Sequence, residues 1–318
     1  MVGTGHDDRE QTPKTMAAPR TAAAKLRYGA GQALQEAARS RGVRFCELHA
    51  DDATRRFVDT APVAPPSQAL AHRVLSLFMS YYDANAALGI YPLHLFSQPQ
   101  WTQLMREADL LPTGSAENVS KRFSRVLDIG AGDGSMAQEL LLPLADEVHA
   151  TETASRMAAL ARKRGIDCKE IDVSAPDAGR ELGSDFDLVC IFNVLDRTAR
   201  PLSLLRTASE LLAPGGACVI ASPLPMRQIC FDGSLKRQPD ETLPMPDPRS
   251  PELAAYSSAT DNDNWDAYAY AFMFDFLPQH APGLRLDTFT RLPYLSGGDL
   301  AEPLIEYDDI AVVLRKDP

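Results

Sequence analysis

"VLDIGAGDGS", Val126 to Ser135, decides how this chain is read. An apolar run ends in Asp128, and Gly130, Gly132 and Gly134 then alternate with Ala131 and Asp133. Glycine at every second position lets a backbone turn sharply and approach a ligand with no Cβ in the way. On either side the text alternates between strand and helix. "RVLDIG", "EVHATE", "IDCKEID", "FDLVCIFNVLD" and "ACVIASPLP" read as strands, and "SMAQELLLPLA", "TASRMAALARKRG" and "RPLSLLRTASELLAPGG" as helices between them. That alternation predicts an α/β, doubly wound parallel sheet whose ligand lies at the carboxyl ends of the strands.

Two ligands compete for the loop. A nicotinamide or flavin site is written G-x-G-x-x-G, with an acid about 20 residues on for the ribose. Gly130 and Gly132 fit, but Ser135 stands where the third glycine belongs. Asp128 would also face a pyrophosphate and repel it. A carboxylate there suits a ligand with an ammonium group, the methionine end of S-adenosylmethionine. Glu152, closing the second strand, is placed for both ribose hydroxyls, and Asp172, closing the third, for the adenine amino group. Asp128, Gly130, Ala131, Gly132, Gly134, Glu152 and Asp172 are therefore the expected cofactor contacts. The expected fold is the seven-stranded, Rossmann-like class I S-adenosylmethionine-dependent methyltransferase. In that variant the last strand inserts antiparallel, and "IAVVLRK" is its candidate, after "LRLDTFTRLPYL".

The remaining text predicts four regions. Residues 1–24 read as a disordered tail, polar and without periodicity. Residues 25–115 read as a helical N-terminal cap, and 120–318 as the cofactor-binding domain. In the cap, Leu70, Val74, Leu77, Phe78 and Tyr81 fall at helical spacing and predict one buried stripe, with Ser67 as N-cap. Within the domain, 226–262 is dense in Pro, Asp and Ser and reads as a long, partly mobile loop. It serves either as a solvated connection or as a docking surface for a basic or His-rich peptide. Trp265 and "YAYAFMFDF" read as core.

The bulk numbers exclude several classes. The 318 residues, 45% hydrophobic and 24% charged, suit a globular protein with a sizeable core. A net charge of -11 argues against a nucleic-acid partner, which requires clustered Lys and Arg. Five scattered cysteines without C-x-x-C and six dispersed histidines give neither a disulfide framework nor a metal site. No run approaches the roughly 18 apolar residues of a membrane span. Asp7, Asp8 and Glu10 precede any apolar run, against the order of a secretory signal. The Ala- and Arg-rich piece after Met16 is either a flexible tail or an organelle transit peptide, so the compartment is open: soluble, and cytoplasmic in the first case.

Several stretches together resemble one family. "SLFMS", "LDIGAGDG", "ATETASRM", "NVLDRTARPLSLL", "FTRLPYLSGGD" and "DDIAVVLRK" are similar to the DREV, or methyltransferase-like protein 9, family from about Ser76 to Lys316. The resemblance implies a protein-histidine N-methyltransferase that takes its methyl group from S-adenosylmethionine, leaving S-adenosylhomocysteine. It implies methylation at the pros nitrogen, Nπ, of short His-x-His sequences in other proteins. By matching positions it places Glu152 and Asn193 on the cofactor, Tyr294 in a wall shared by cofactor and substrate, and Asp196 where the acceptor is presented. One departure stands out: the family's tyrosine pair shortly before "DD" is Leu304 and Ile305 here, with Tyr307 displaced. The grip on the substrate ring is expected to differ accordingly.

Imidazole methylation requires one ring nitrogen in line with the methyl group and its lone pair free. A carboxylate accepting the other ring N–H fixes the tautomer and stabilises the cation as it forms. Asp196 is the first candidate and Asp299 the second. Asn193 is placed for the methionine carboxylate or the substrate. Each has a plainer reading: Asp196 as a helix N-cap near Pro201 or an ion pair with Arg197, Asn193 as a loop amide, Tyr294 as a half-buried aromatic. A small-molecule or other side-chain acceptor is the competing substrate class.

Overall fold

The computed structural model describes residues 26–90, 92–112, 122–244, 246–257 and 264–318. The tail expected over 1–24 lies outside them. The N-terminal third is a series of short elements, most started by local capping chemistry. Helix α1 (Gln32–Arg39) leads into a two-residue strand, β1 (Arg44–Phe45). Asp51 caps α2 (Asp52–Thr60), its carboxylate accepting from the Thr54 N–H at 2.9 Å. Helix α3 (Pro66–Leu75) starts on a proline, and α4 (Tyr81–Leu88) is capped by Ser80 and ended by left-handed Gly89. After β2 (Leu93–His94), a reciprocal Ser97–Gln100 capping box starts α5 (Gln98–Glu107).

The predicted alternation follows. It runs β3 (Phe123–Ile129), a π-turn (Ala137–Leu141), β4 (Ala145–Glu152), α6 (Ser155–Lys163), β5 (Asp167–Glu170), α7 (Ala178–Leu182), β6 (Phe186–Phe192), α8 (Pro201–Leu211) and β7 (Leu212–Pro223). A hairpin, β8 (Cys230–Asp232) and β9 (Leu235–Arg237), comes next. Helix α9 (Trp265–Ala271) passes through a second π-turn into α10 (Leu277–His280), and the long strands β10 (Leu284–Gly297) and β11 (Leu304–Lys316) close the chain.

The main sheet is ordered β1-β10-β11-β7-β6-β3-β4-β5, with β2 also on β10. Strands β3 to β7 are mutually parallel, and β11 enters antiparallel between β7 and β10, as "IAVVLRK" predicts. The seven strands from β5 to β10 are the expected class I methyltransferase sheet. The chain doubles back between β3 and β6, which opens a crevice at their carboxyl ends. Alternate side chains feed two layers. Val126, Leu188, Cys190 and Phe192 pack with Trp101 and Leu104 of α5 and with Ala158 of α6. Leu127, Val189, Ile191 and Ile220 pack on the other face with Leu34, Leu204, Phe272 and Phe276. Trp265 and most of the "YAYAFMFDF" run lie in or against this second layer, as expected.

Four expectations need correction. The N-terminal segment is built into the sheet edge: β1 runs parallel and β2 antiparallel to β10, giving nine strands. The predicted buried stripe is exposed, with Leu70, Val74, Leu77 and Phe78 at 49–80% of full accessibility. The helix breaks between Leu75 and Ser80, so the helical phase does not carry across and only the α4 part turns inward. Ser67 is not the cap either, because Pro65 holds that position. Lastly, 226–262 is not bare loop. It contains the β8–β9 hairpin, and Glu241 caps α8 by accepting from Leu202 N, Ser203 N and Ser203 Oγ at 2.8, 2.9 and 2.5 Å.

The glycine loop also differs from the reading of its pattern. Gly130, Gly132 and Gly134 all have left-handed φ, of 73°, 58° and 78°. A Cβ on Gly130 would lie 2.6 Å from Val194 Cγ2, and one on Gly134 would lie 2.8 Å from the Ala161 Cα. Protein therefore fills the space beside these two. Only at Gly132 would a Cβ meet no protein atom within 4 Å. Gly134→Ala is predicted to cost about 2 kcal/mol or more through overpacking against the α6 backbone. Gly132→Ala should cost only the left-handed penalty of about 1 kcal/mol. Urea denaturation of the two variants checks the order.

Candidate functional site

Two groups of side chains face one another across the crevice. The first follows the loops after β3, β4 and β5. Asp128, the last but one residue of β3, is 2% exposed, and burial, with the charge of Glu152 second, pushes its carboxyl up to about 7. Such a group ionises cheaply only if a cation arrives beside it. Glu152 ends β4 and wraps its carboxylate on the backbone: Oε2 accepts from Gly132 N at 2.9 Å, and Oε1 from Thr153 N and Ala154 N at 2.7 and 2.9 Å. It thus binds the one glycine of the loop whose Cβ position is clear of protein atoms. Asp172 lies two residues past β5, exposed, with Oδ1 accepting from Ser174 N and Oγ at 2.9 and 2.6 Å. Ala131 is buried within the loop.

The second group gathers on the loop after β6. Asn193 sits there with φ 58°, a conformation asparagine tolerates better than most residues, and its N–H donates to the Ala221 carbonyl of β7 at 2.9 Å. Its amide Nδ2 donates to Asp309 Oδ2 at 2.6 Å, which leaves Asn193 Oδ1 buried without a hydrogen-bond partner. Asp196 is 1% exposed, and burial pushes its carboxyl up to about 6 despite the pull of Arg197 and of its own backbone N–H. Asp196 Oδ2 lies 3.5 Å from Arg197 Nη2, and Oδ1 has no partner. Of the plainer readings of Asp196, the ion pair is present and the N-cap is not, since Arg200 occupies that position before α8.

Tyr294 is buried on β10, directly opposite Tyr307 of β11, with ring centroids 5.9 Å apart and planes 29° apart. Burial drives its hydroxyl pKa upward, Asp309 adding to the effect. Leu304 and Ile305 pair instead with Gly297 and Ser296, at the far end of the hairpin. Strand pairing thus sets the displaced Tyr307 against Tyr294. Tyr82 arrives from α4, where burial pushes its hydroxyl up to about 12 and where Arg197, Asp196 and Glu152 all act on it. Asp83 of the same helix accepts from Arg156 N of α6 at 2.7 Å, and Tyr81 stacks on Phe231 of β8 at 4.6 Å. Helix α4 thus spans the crevice, reaching both groups. Burial opposes the Arg197 charge, but Asp196, Tyr82, Tyr307 and Tyr294 outweigh it and hold the guanidinium firmly protonated.

Asp299, the second candidate, stands apart. It is exposed, with Oδ1 accepting from Ala301 N and Glu302 N at 2.8 and 3.0 Å in its own turn. The residues passed over in the sequence are Tyr82 and above all Asp309, which is fully buried with Oδ1 unpartnered, while Arg197 was named only as an ion-pair partner and Tyr307 only as a displaced tyrosine. One signal pointed to Asp309: an acid near the start of an antiparallel last strand falls at the carboxyl ends of its parallel neighbours.

The set fits S-adenosylmethionine. Asp128 offers a buried carboxylate to an ammonium, Gly132 an open backbone, and Glu152 a carboxylate at the ribose position of this fold. Among the described residues no group of three or more His, Cys, Asp or Glu forms a metal site, and no helix is long and apolar enough to cross a membrane.

The chain is similar to several known proteins. The ubiquinone biosynthesis O-methyltransferase of Caulobacter sp. (strain K31) is 29% identical over 51% of this chain and 66% of its own length. The enzyme of the same name from Xanthomonas campestris pv. campestris (strain B100) is 29% identical over 34% of this chain and 46% of its own length. The chain thus spans two thirds or less of these curated relatives. Among solved structures, the N-methyltransferase NodS from Bradyrhizobium japonicum WM9, in complex with S-adenosyl-L-homocysteine, aligns over 69% of this chain and 87% of that one, at 15% identity and a TM-score of 0.37. The DREV methyltransferase model matches residues 31–316. Glycine loop, sheet order and family match converge: this chain belongs to the DREV methyltransferases, enzymes dependent on S-adenosylmethionine.

Proposed function

We propose that this enzyme is a protein-L-histidine N-methyltransferase that modifies the pros nitrogen of His-x-His motifs in other proteins. The observation that carries it is the Asp196 carboxylate, buried after β6 with Oδ1 unpartnered. A buried acceptor without a donor costs about 1–3 kcal/mol unless a ligand supplies one. An imidazole N–H supplies it. Asp196, accepting that proton in a hydrogen bond, leaves the lone pair on the other ring nitrogen and keeps the ring from turning. Tyr294 and Tyr82 provide a largely apolar wall that limits water, with the more exposed Tyr307 at its outer edge. Arg197 holds Asp196 toward its charged form.

Bound S-adenosylmethionine supplies an electrophilic sulfonium methyl group. Asp128, Gly130, Ala131, Gly132 and Gly134, with Glu152 and Asp172, are the residues assigned to hold it. Asn193 and Tyr294 stand on the boundary with the acceptor. A second reading has direct support: the curated relatives are named ubiquinone biosynthesis O-methyltransferases, so a small phenolic acceptor is the alternative. Labelling host lysate with radioactive cofactor separates the two, because counts enter protein in the first case and the soluble fraction in the second.

Three outcomes are expected. Purified enzyme transfers tritium from labelled cofactor to a His-Ala-His peptide, and replacing either histidine by alanine ends the transfer. Asp196→Asn lowers kcat by roughly a hundredfold or more, the scale of one lost transition-state hydrogen-bonding group. In the parent enzyme kcat/KM falls as pH drops through about 6, where Asp196 protonates beside the titration of the substrate imidazole, and the substitution leaves a shallower limb that belongs to the imidazole alone. Near-normal kcat in Asp196→Asn rejects its role. The third outcome concerns Asp128, whose folded-state pKa of about 7 lies above its ordinary value of 3.8. The folded state then binds more protons than the unfolded one between those values, so stability is lost as pH rises through that window. Asp128→Asn is expected to raise the melting temperature of the ligand-free protein above pH 7 while weakening cofactor binding, measured by scanning fluorimetry and calorimetry.

A further inference from the structure

We infer that Asp309 is a positioning residue that sets which face of the Asn193 side chain the crevice receives. This rests on the reading above, in which the acceptor carries an N–H, and extends it to a residue that touches no reacting atom. An asparagine amide has an oxygen end and an NH2 end, and its orientation is decided by what stands behind it. Behind Asn193 stands Asp309, at the start of the buried run of β11, where its residue pairs with Pro223 of β7 and Leu292 of β10. The carboxyl oxygen Oδ2 accepts from Nδ2 at 2.6 Å, so the oxygen end is turned away from Asp309.

That oxygen is buried and unpartnered, as is Oδ1 of Asp196 three residues on. Two orphan acceptors on one short loop specify a ligand that brings donors. A neutral imidazole meets this with its ring N–H, and a peptide or ammonium N–H meets the second acceptor. A ligand whose only polar atom is the attacking oxygen of a phenolate brings none. Asp309 thereby biases the site toward nitrogen-bearing acceptors without contacting them.

The backbone enforces the same arrangement. Asn193 is held in the left-handed region by its N–H bond to Ala221, which fixes where the side chain leaves the main chain. Asp309 sits on the strand adjoining β7, so its carboxyl is delivered by the sheet and not by a loop. Burial drives its pKa well above the ordinary carboxyl value, while the Asn193 hydrogen bond pulls the other way. An asparagine at 309 would therefore be a close mimic, retaining an oxygen for Nδ2.

The test reads the amide directly. The chain has five asparagines, so protein labelled with 15N only at asparagine gives five side-chain amide pairs, and Asn193→Asp identifies its own by loss. The Asn193 pair is expected to exchange slowly with water in the parent and in Asp309→Asn, and to lose that protection in Asp309→Leu. On the peptide, Asp309→Leu is expected to lose about a hundredfold in kcat/KM, the scale of misplacement by about 1 Å, and Asp309→Asn to keep most of it. Should Asp309→Leu fail to fold, the exchanged pair Asn193→Asp/Asp309→Asn decides. It reverses donor and acceptor and should recover activity and melting temperature relative to Asn193→Asp alone, which sets two carboxyls face to face. An Asn193 amide indifferent to Asp309→Leu, equal losses in the Asn and Leu variants, or no recovery in the exchanged pair overturns the inference. Peptide inertness of the parent would instead reject the histidine reading, with the amide exchange still deciding the role of Asp309.

Discussion

The burial of carboxyl groups at the carboxyl edge of the sheet is the constraint on which the site depends. Asp128, Asp196 and Asp309 are each at most 2% exposed, and between them one direct cation, Arg197, is in reach. Burying a carboxyl group costs free energy whether it stays charged or takes up a proton, unless it is fully paired, so a fold built for stability alone would not retain three. Their cost is offset when ligands bring positive charge and N–H donors. Strong perturbation by burial, in a crevice at a topological switch point, is how functional carboxylates are usually marked. On the function proposed above, cofactor and acceptor are recognised by one physical device used twice: an acceptor held dry until its donor arrives.

The scaffold makes this device precise. Asp128 is on β3, Asn193 follows β6 and Asp309 is on β11, so three residues far apart in sequence are placed by strand registers near the middle of the sheet. Helix α4 then reaches across from the N-terminal segment, tied to α6 through Asp83 and to the β8–β9 hairpin through Tyr81 and Phe231. The segment before the sheet is therefore both edge and roof. Its strands β1 and β2 extend the sheet while α4 closes the crevice.

Most of the fold was legible because its signals are local. Apolar runs such as "VLDI" and "VCIF" must be buried on both faces, and glycines and acids at strand ends mark the ligand edge. The exposed Leu70–Phe78 stripe was misread because periodicity assumes an unbroken helix, and the turn before Ser80 resets the phase. The glycine loop was half legible. Its pattern announced a close approach, but at Gly130 and Gly134 the neighbour is Val194 or α6, and only at Gly132 is the Cβ position clear of protein atoms. Asp309 and Tyr82 were missed, and Tyr307 was not set against Tyr294, for one reason: each reaches the site through pairing or packing across long sequence separations, which no local pattern encodes.

If Asp196 receives the N–H of a bound imidazole, a crystal structure with S-adenosylhomocysteine and a His-Ala-His peptide will show it. A ring nitrogen is then expected within about 2.6–3.2 Å of Asp196 Oδ1, the range of a catalytic hydrogen bond, with the other ring nitrogen turned toward the sulfur. An imidazole bound elsewhere, or an Asp196 that keeps Arg197 as its sole partner with the ring in place, would contradict it.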